Sequence, residues 1–539
     1  MLRLSLYLRA LLLSLSPLLA AAAAGATQQQ GIEQEEVKEQ PPPERPTRLR
    51  MEHAKSPLLG LDVPNPRFAW ALPDSGSRGV LSAAYQLQVV DALSSQVVWD
   101  SGKVEGRALS AVYFGAAPLA WDTSFRWNVR YWKSGAGAEA SSWSEPFAFR
   151  TAPSPVTWHN ATWIDGSRGA LRREIVLPSG AKIREAFVFA TSIGFHHVLV
   201  DGVLLGNQST YLFEPGQSVY SERALYTSYN ITSEVLANSG SSFTIGALLG
   251  NGPCSACGRS GPCTMRGHDW KGVCTSYISV SLGDATCCKR GVQNSRALRA
   301  LVSVQYELAG AVKHRFIPTA AGEWTTTQSP NLYDDLYTGE VWDERVAHAL
   351  RATGFWKAGG AAPSGLATAT AVKDNGGVNH SAVMSAQFLP PIGVRKSYTP
   401  ISVTKVASFL MQGDLHCPNN NADCVPAVSP NATGSEATSG WIFKFNQSMA
   451  GVAMLRIRRS DFHGPTRCQW RNNSSPTSTV SSVLAPYGCV VLRYGNILED
   501  DGTLMNQFGP ITYDQSDVFI LGPSQDEQVY QVPISVNNT

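Results

Sequence analysis

Charged side chains are scarce in this sequence of 539 residues. Asp, Glu, Lys and Arg make up only 16% of it, whereas roughly 25% is usual for soluble domains. Acidic and basic residues nearly balance, giving a formal net charge of +2, and no basic stripe runs along the chain. Because nucleic-acid-binding proteins concentrate Lys and Arg on one face, this composition argues against a nucleic-acid partner.

Signature motifs of several enzyme classes are also missing. The sequence contains no Gly-x-Ser-x-Gly elbow, no phosphate-binding loop and no His-Glu-x-x-His, each of which positions reactive groups in a known way. His196 and His197 are adjacent, so on a strand their rings face opposite sides. A structural role is therefore favoured over metal binding for this pair.

Paired carboxylates for sugar hydrolysis are not evident either. Glycoside hydrolysis needs two carboxyl groups at a defined separation, but adjacent acids on a strand point to opposite faces. We therefore interpret the acidic groups as turn and surface residues and assign no catalytic residue. The groups considered are Asp334–Asp335, Asp343–Glu344 and Glu499–Asp500–Asp501.

Long apolar runs are confined to the N-terminus. Arg3 and Arg9 accompany an apolar run over residues 4–19, and small residues fill positions 20–26. A membrane anchor is the alternative, but the run is shorter than the ~20 residues of a spanning helix. The order of regions is typical of a cleaved signal peptide over residues 1–26. We expect a secreted or lumenal mature chain with no membrane span, beginning with a disordered linker over residues 27–46.

Cysteines support the same compartment. There are ten, and an even number in an oxidising compartment predicts disulfides. Zinc is the alternative for Cys254-x-x-Cys257 with His268, but no clean second pair follows. Six of them crowd a short insert, and 15 pairings are open to six cysteines. The members of this insert, residues 254–288, are Cys254, Cys257, Cys263, Cys274, Cys287 and Cys288.

The other four cysteines lie further along the chain. Cys417 could pair with Cys424, and Cys468 could pair with Cys489, each closing a loop. These pairings are guesses, because sequence alone does not decide connectivity.

Acceptor sites for N-linked glycans are frequent. Asn-x-Ser/Thr sites arise by chance in a chain rich in Ser and Thr, and they need exposure to be used. They nevertheless agree with passage through a secretory compartment. The candidate sites are Asn160, Asn207, Asn230, Asn379, Asn431, Asn446, Asn472, Asn473 and Asn537.

Short alternating strands dominate the chain after the linker. Residues 85–90 and 125–132 alternate apolar and polar side chains at a period of two, and turn signals separate such runs. Over residues 47–153 this predicts a β-sandwich of the fibronectin type III kind. Its tryptophans could form a sugar platform, although such residues more often belong to a core. They are Trp70, Trp99, Trp127 and Trp143.

At this point the sequence resembles the bacterial-type α-L-rhamnosidases. Residues 49–62 and 64–70 are similar to the opening of that family, and Trp99–Val104 and Ser142–Glu145 continue the likeness in order. The resemblance extends to residue 533 and implies an all-β chain of tandem β-sandwiches: fibronectin type III-like, then jelly-roll, then concanavalin-like.

The second module is predicted over residues 160–356. Arg172–Pro178 and Gly339–Arg345 are similar to segments of the family's N-terminal jelly-roll sandwich, a carbohydrate-binding-like fold. An Ala- and Gly-rich linker is predicted to follow at residues 357–385.

Two polar turns in this module are the candidate binding residues. Asp201-Gly202 and Asn251-Gly252 end apolar strands, and the two loops could meet at one rim of a sheet. The resemblance implies that such a rim can hold rhamnose through calcium, a cation that prefers oxygen ligands. The alternative is that both residues simply favour turns. Pro253-Cys254 departs from the family's usual aromatic residue and remodels this loop.

The third module is predicted over residues 386–539. Phe443–Gly451, Leu492–Leu504 and Asp517–Gly522 are similar to the family's concanavalin-like sandwich, with Asn496 in place of a glutamate. The family then continues into an (α/α)6 barrel that carries its general acid and general base. The sequence holds no such barrel, so we expect the last sandwich to be truncated and the chain to be inactive alone.

Three hypotheses of function follow. The first is the accessory half of an α-L-rhamnosidase, whose full-length members release terminal α-L-rhamnose from glycosides with inversion. The second is a non-catalytic secreted protein that binds rhamnose-containing glycans, with calcium as the only cofactor considered. A cell-surface adhesion protein built on fibronectin-like modules is a third.

Overall fold

The computed structural model describes residues 44–531 with gaps, all within the compact unit Glu44–Thr539. No described helix is long and apolar enough to cross a membrane. The internal gaps are residues 75–77, 116, 135–138, 206–210, 217, 219, 221, 238–241, 251–295, 336–338, 362, 364, 373–380, 391, 395, 407–439, 450, 462–466, 472–479, 496–515 and 525–526.

The first sandwich is built from two sheets with the orders β1-β3-β7 and β2-β9-β8-β4-β5, and β6 pairs with β4. Pairing is antiparallel except between β2 and β9. Along β8 the apolar residues alternate with polar ones and face the core, as the period of two predicted. The strands are β1 (Thr47–Met51), β2 (Leu58–Leu61), β3 (Arg67–Ala71), β4 (Ser82–Asp91), β5 (Val97–Asp100), β6 (Val104–Glu105), β7 (Ser110–Val112), β8 (Ser124–Lys133) and β9 (Phe147–Thr151).

The tryptophans of this sandwich do not form a shared platform. Trp70 and Trp127 are buried in the core, and Trp99 stacks on Phe68 at 6.0 Å between ring centroids. Trp143 is half-buried against the guanidinium of Arg130. The sugar-platform alternative is therefore wrong for this set, because packing uses the rings that a sugar would need.

The second sandwich follows after the short helix α1 (Pro155–His159). Its strands are β10 (Ile164–Asp165), β11 (Gly169–Val176), β12 (Lys182–Ile193), β13 (Phe195–Val200), β14 (Val203–Leu204), β15 (Tyr211–Phe213), β16 (Arg223–Asn230), β17 (Ser242–Gly250), β18 (Ala297–Leu308), β19 (Ala311–Pro318) and β20 (Thr325–Gln328), with helix α2 (Thr232–Ala237) after β16. The next elements are β21 (Asn331–Asp335), β22 (Gly339–Asp343), helix α3 (Glu344–Ala352), β23 (Ala367–Thr368) and β24 (Val383–Ala386).

Two sheets enclose the core of the second sandwich. One has the order β10-β18-β12-β16-β24 with β19 beside β18, and the other has the order β14-β13-β17-β11-β20-β23. Their long strands read as continuous buried runs, such as residues 185–193 of β12. Such runs are typical of a sheet that is covered on both faces rather than wet on one.

Parts of both outer faces of this sandwich are covered by other residues of the chain. Phe187 and Tyr226 on the first sheet pack in one cluster with Trp158 of α1. On the second sheet, Leu248 belongs to a cluster with Trp356, which follows α3. Strand β19 at the edge of the first sheet is largely exposed.

The segment predicted as a linker, residues 357–385, belongs largely to the second sandwich. Strand β23 extends one sheet beside β20, and β24 extends the other in parallel with β16. Phe388, just beyond, packs against the cores of both the first and second sandwiches. Backbone pairing, which composition does not reveal, fixes this segment in place.

The remaining strands form smaller sheets. They are β25 (Ile392–Gly393), β26 (Ser402–Val406), β27 (Gly440–Lys444), β28 (Met454–Arg458), β29 (Arg467–Arg471), β30 (Val480–Leu484), β31 (Cys489–Arg493), β32 (Ser516–Ile520) and β33 (Glu527–Gln531). The described pairs are β26 with β27, β28 with β33 and β29 with β30, while β25 pairs with β15 of the second sandwich.

One sheet joins the second and third modules. Its order is β21-β22-β32-β31, and β22 runs parallel to β32 across 177 residues of sequence. The boundary that the sequence predicted between the second and third modules therefore divides strands that belong to one continuous sheet. The fold class is confirmed as an all-β arrangement of tandem sandwiches.

Candidate functional site

Asp201 lies in a tight turn between β13 and β14. Val200 pairs with Val203, leaving Asp201 and Gly202 at φ values of 47° and 87°. Two successive positive φ values are the mark of a type I′ hairpin turn, for which Asp-Gly is a preferred sequence. The carboxylate of Asp201 accepts a hydrogen bond from the Thr244 N–H at 2.9 Å. This side chain stabilises its own turn.

The strand register places this turn far from the described end of β17. Phe195 at the start of β13 pairs with Gly250, whereas the N–H of Asp201 donates to the carbonyl of Thr244. Six residue steps along a strand are about 20 Å, so Asp201 and Gly250 lie at opposite ends of this strand pair. Asn251 lies outside the described residues, and the rim shared by Asp201 and Asn251 stays a prediction.

The other sites predicted from sequence fall mostly outside the described residues. The cysteines of the 254–288 insert, with Cys417 and Cys424, lie there, and no described side chain belongs to Cys468. Cys489 is buried and disulfide-bonded. Its pairing with Cys468 stays a prediction. Within the described part of the chain, no group of three His, Cys, Asp or Glu residues is arranged to hold a metal ion.

The buried histidine His196 has a structural environment. Its Nδ1 lies 2.9 Å from Ser192 Oγ, and its Nε2 lies 3.0 Å from Thr227 Oγ1. Burial lowers the pKa of this imidazole to about 3. The ring is therefore neutral and satisfied inside the sandwich, which matches the structural role favoured from sequence.

The acidic pair at the start of α3 is committed to that helix. Asp343 is its N-cap and accepts from the Arg345 N–H at 3.0 Å. Glu344 accepts from the Trp342 indole N–H at 3.0 Å and pairs with Arg351. These contacts use the carboxylates for capping and packing. The interpretation of this pair as surface acids is wrong, because both side chains are buried against α3 and its neighbours. The side chain of Asp335 and residues 499–501 are outside the described set.

A set of serine, histidine and aspartate meets where the first and second sandwiches join, yet it is not a nucleophilic triad. Ser303 Oγ lies 2.9 Å from His314 Nε2. Asp122 Oδ2 contacts that same nitrogen at 2.8 Å and the serine hydroxyl at 2.5 Å. In a triad the aspartate must hold the other ring nitrogen, so this arrangement cannot activate the serine.

Asp122 instead belongs to a buried ion cluster that ties the two sandwiches together. Arg150 is only 1% exposed, and its guanidinium contacts Asp122 at 2.9 Å and Glu185 of β12 at 2.6 Å. The same guanidinium lies 3.8 Å from the ring centroid of Phe187. This buried cation contacts two anions and an aromatic face, and it thereby connects the first sandwich to the second.

Two buried carboxyl groups lie on the sheet shared by the second and third modules. Glu340 on β22 and Asp517 on β32 are each 2% exposed. Asp517 Oδ1 accepts from the Glu340 N–H at 2.9 Å, and its Oδ2 accepts from the Tyr494 hydroxyl. Two carboxyl groups are thereby brought together in a dry interior.

Burial perturbs both carboxyl groups in the same direction. It raises the pKa of Asp517 to about 6, even though the hydrogen bonds from Tyr494 and the Glu340 N–H oppose the change. For Glu340, burial first and then the charges of Asp517 and Asp334 raise the pKa well above its usual range. The neutral form of Glu340 is therefore favoured at neutral pH.

Glu340 and Asp517, with Asp334 beside them, form what we call the acid cluster. It contains buried polar atoms that lack a hydrogen-bond partner. Glu340 Oε1, Asn331 Oδ1 and the Tyr530 hydroxyl are buried and form no hydrogen bond with any described residue. Asp334 pairs with Arg296 at 2.7 Å. A protonated glutamate is a potential acid, but substrate has no described path to a group so deeply buried.

The acid cluster also lies directly beside the end of β17. A Cβ placed on Gly250 would lie 3.1 Å from Asp334 Oδ2, so a larger residue at this position would require the carboxylate to shift. Sequence reasoning missed this cluster, because Glu340 and Asp517 are 177 residues apart and no local spacing marks them.

Two family models match parts of this chain. A family model described as "Rha78A-like, N-terminal immunoglobulin domain" matches residues 46–154, and one described as "Alpha-L-rhamnosidase N-terminal domain" matches residues 181–378. Immunoglobulin and fibronectin type III domains share the sandwich architecture.

Curated relatives agree. An α-L-rhamnosidase of Formosa agariphila is 23% identical over 445 residues, covering 76% of this chain and 39% of the relative. One from Streptomyces avermitilis is 36% identical over 123 residues, covering 22% of this chain and 12% of the relative. The chain thus spans well under half of the relatives' length.

Solved structures show the same fold. The α-L-rhamnosidase from Dictyoglumus thermophilum superposes with a TM-score of 0.59 at 20% identity, covering 90% of this chain and 45% of that one. The Aspergillus terreus enzyme gives a TM-score of 0.60 at 17% identity, with the same coverage. The family models, the curated relatives and the shared fold thus agree that the chain is similar to the N-terminal part of α-L-rhamnosidases.

Proposed function

We propose that this chain is the accessory, non-catalytic part of an α-L-rhamnosidase, a glycoside hydrolase acting on rhamnose-containing glycosides. The observation that carries the proposal is the match to the Formosa agariphila enzyme, which spans 76% of this chain but 39% of that relative. On this proposal the sandwiches act together with a catalytic part, which the relatives carry outside the region matched here.

The roles of the described carboxylates support a non-catalytic chain. Hydrolysis of a glycosidic bond needs an acid and a base that both face the sugar. Asp334 and Asp343 are instead paired with Arg296 and Arg345. Among the described residues Glu340 forms no ion pair, but its side chain is only 2% exposed within the shared sheet.

An activity assay tests the proposal directly. The purified chain, incubated with an aryl α-L-rhamnoside, should release no more aglycone than buffer, while the Streptomyces avermitilis enzyme serves as positive control. Turnover above background that is lost in Glu340→Gln but kept in Asp165→Asn would contradict the proposal and place catalysis in the acid cluster.

A secreted rhamnose- or glycan-binding protein is the alternative function. The hydrogen bond that the Asp201 carboxylate accepts from the Thr244 N–H weighs against it, because the carboxylate is already engaged within the chain. Calorimetric titration with L-rhamnose, with and without calcium, distinguishes the accessory function from the binding function. Calcium-dependent heat would favour the binding function.

We also propose that the protein is secreted and glycosylated. Three acceptor asparagines are described, namely Asn160, Asn230 and Asn446, and each is exposed. The Asn230 side-chain oxygen accepts hydrogen bonds from Thr232 within its own acceptor site. Glycopeptide mass spectrometry of the protein from a eukaryotic host, with sequencing of its mature N-terminus, tests this; a bare, uncleaved chain would contradict it.

A further inference from the structure

The glycan acceptor site at Asn230 is built into the core of the second sandwich. Asn230 ends β16 and pairs with Phe187 of β12. The next residue, Ile231, is 0% exposed, belongs to the core cluster and donates its N–H to the carbonyl of Ala186 at 2.9 Å. Thr232 then begins α2. All three residues of this acceptor site therefore belong to packed structure, whereas acceptor sites that are used usually lie in surface loops.

The hydroxyl group of Thr232 is engaged in the fold. The Ala186 N–H donates to Thr232 Oγ1 at 3.0 Å, and Thr232 Oγ1 donates to Asn230 Oδ1 at 2.7 Å. The acceptor sequence requires a serine or threonine at this position, so the glycan transferase must recognise this hydroxyl group. In the folded chain, the hydrogen of the hydroxyl group and one of its lone pairs are already used.

The folded structure is nevertheless compatible with an attached glycan. The transfer joins C1 of a lipid-linked oligosaccharide to Asn230 Nδ2, breaks the bond from C1 to the lipid diphosphate and releases one proton from Nδ2. The hydrogen bonds from Thr232 use the Oδ1 atom, which stays a carbonyl acceptor after the reaction. Because Asn230 is exposed, the fold can keep these contacts while the glycan extends into solvent.

The acceptor site at Asn446 lies in a different environment. Asn446, Gln447 and Ser448 follow the end of β27, and each of them is exposed and outside helices and strands. The pairing of β27 with β26 ends at Lys444, before the acceptor site begins. A transferase can therefore bind this site without separating the described strand pair.

We propose that Asn230 accepts its glycan only before the second sandwich folds, whereas Asn446 also accepts one in the folded chain. This rests on the proposed secretion and glycosylation of the protein. To reach Asn230 after folding, the transferase would have to release Ile231 from the core and Thr232 from Ala186. Core segments open rarely compared with loops, so an Asn230 that is missed during synthesis stays bare.

Enzymatic glycosylation of the folded chain tests this order. The glycan-free full chain is prepared in a bacterial periplasm and checked for a cooperative thermal transition. It is then incubated with a purified oligosaccharyltransferase and a lipid-linked oligosaccharide, and peptides of residues 226–236 and 442–452 measure the reactivity of the two sequences alone. Glycopeptide mass spectrometry should show Asn230 modified at least about tenfold more slowly in the folded chain than in its peptide. Asn446 should react at a similar rate in both.

A variant pair adds a second readout. Ile231→Ala keeps the acceptor sequence but removes its core contact, so it should accelerate modification of Asn230 in the folded chain. Gln447→Ala changes the same position of the other site and should leave the rate at Asn446 unchanged. The wild-type comparison decides the proposal by itself if Ile231→Ala does not fold.

Two results would overturn the proposal. One is a folded wild-type chain in which Asn230 reacts as fast as in its peptide. The other is a folded chain in which Asn446 is as slow as Asn230, since the fold would then not distinguish the two sites. These rates are measured in vitro and do not depend on secretion, so their failure is distinct from a failure of the proposed secretion.

Discussion

At the scale of single residues, the acid cluster shows how burial sets chemistry. Asp517 and Glu340 are common acids, but the interior of the shared sheet disfavours their charges. Opposing hydrogen bonds to Asp517 only partly restore its ionised form. The cluster is therefore a source of pH dependence for folding rather than an exposed acid pair.

The stability of the protein should fall as pH rises through this cluster. The folded pKa of Asp517 is raised to about 6 from its usual 3.8. Its contribution is therefore fully present below about pH 4 and lost as pH rises through about 6. The total loss is on the order of 2–3 kcal/mol, and Glu340 adds to it in the same direction.

Urea unfolding at pH 4 to 7 measures this effect. Asp517→Asn keeps an oxygen for the Glu340 N–H but removes the titrating group, so its free energy of unfolding should vary less with pH than that of the wild type. Asp165→Asn, at the end of β10 where the carboxylate accepts from the Ser167 N–H, is the matched control and should keep the wild-type slope. Equal slopes in all three proteins would contradict the assignment.

At the scale of elements, strand β17 of the second sandwich packs closely against the aromatic cluster that covers its sheet. A Cβ on Gly246 would lie 2.5 Å from Cε3 of Trp356. Trp356 is 7% exposed and belongs to the cluster that covers this sheet. The glycine therefore provides the space in which the ring lies.

Gly246→Ala should destabilise the protein by about 1–3 kcal/mol, because the ring must shift in a packed interface. Thermal and chemical unfolding would measure this. Gly451→Ala is the control, since its Cβ would meet no atom closer than 3.9 Å. Shortening the ring in Gly246→Ala/Trp356→Leu should recover part of the loss; a harmless Gly246→Ala would refute the packing argument.

At the scale of the whole molecule, buried charges and shared strands join the sandwiches. The Arg150 cluster ties the first to the second, and β22 with β32 ties the second to the third. These connections predict cooperative unfolding of the described sandwiches rather than independent melting of three domains.

Arg150→Met should remove about 3–5 kcal/mol of stability, because it leaves the carboxylates of Asp122 and Glu185 buried without a cation. Calorimetry should then show the first sandwich melting as a separate transition. Arg456→Met breaks an exposed pair with Glu527 and should cost less than about 1 kcal/mol. A single unshifted transition for Arg150→Met would contradict the coupling.

Sequence by itself determined the features that are local. The alternation along β8 and the Asp201-Gly202 turn follow from side-chain period and backbone preference, which need only neighbours in the chain. Family-like segments predicted the order of sandwiches. Tertiary structure alone decided what depends on register and distance. Antiparallel pairing moves Asp201 away from Gly250, and a parallel pair joins Glu340 to Asp517 across 177 residues, because backbone hydrogen bonds between strands leave no mark in local sequence.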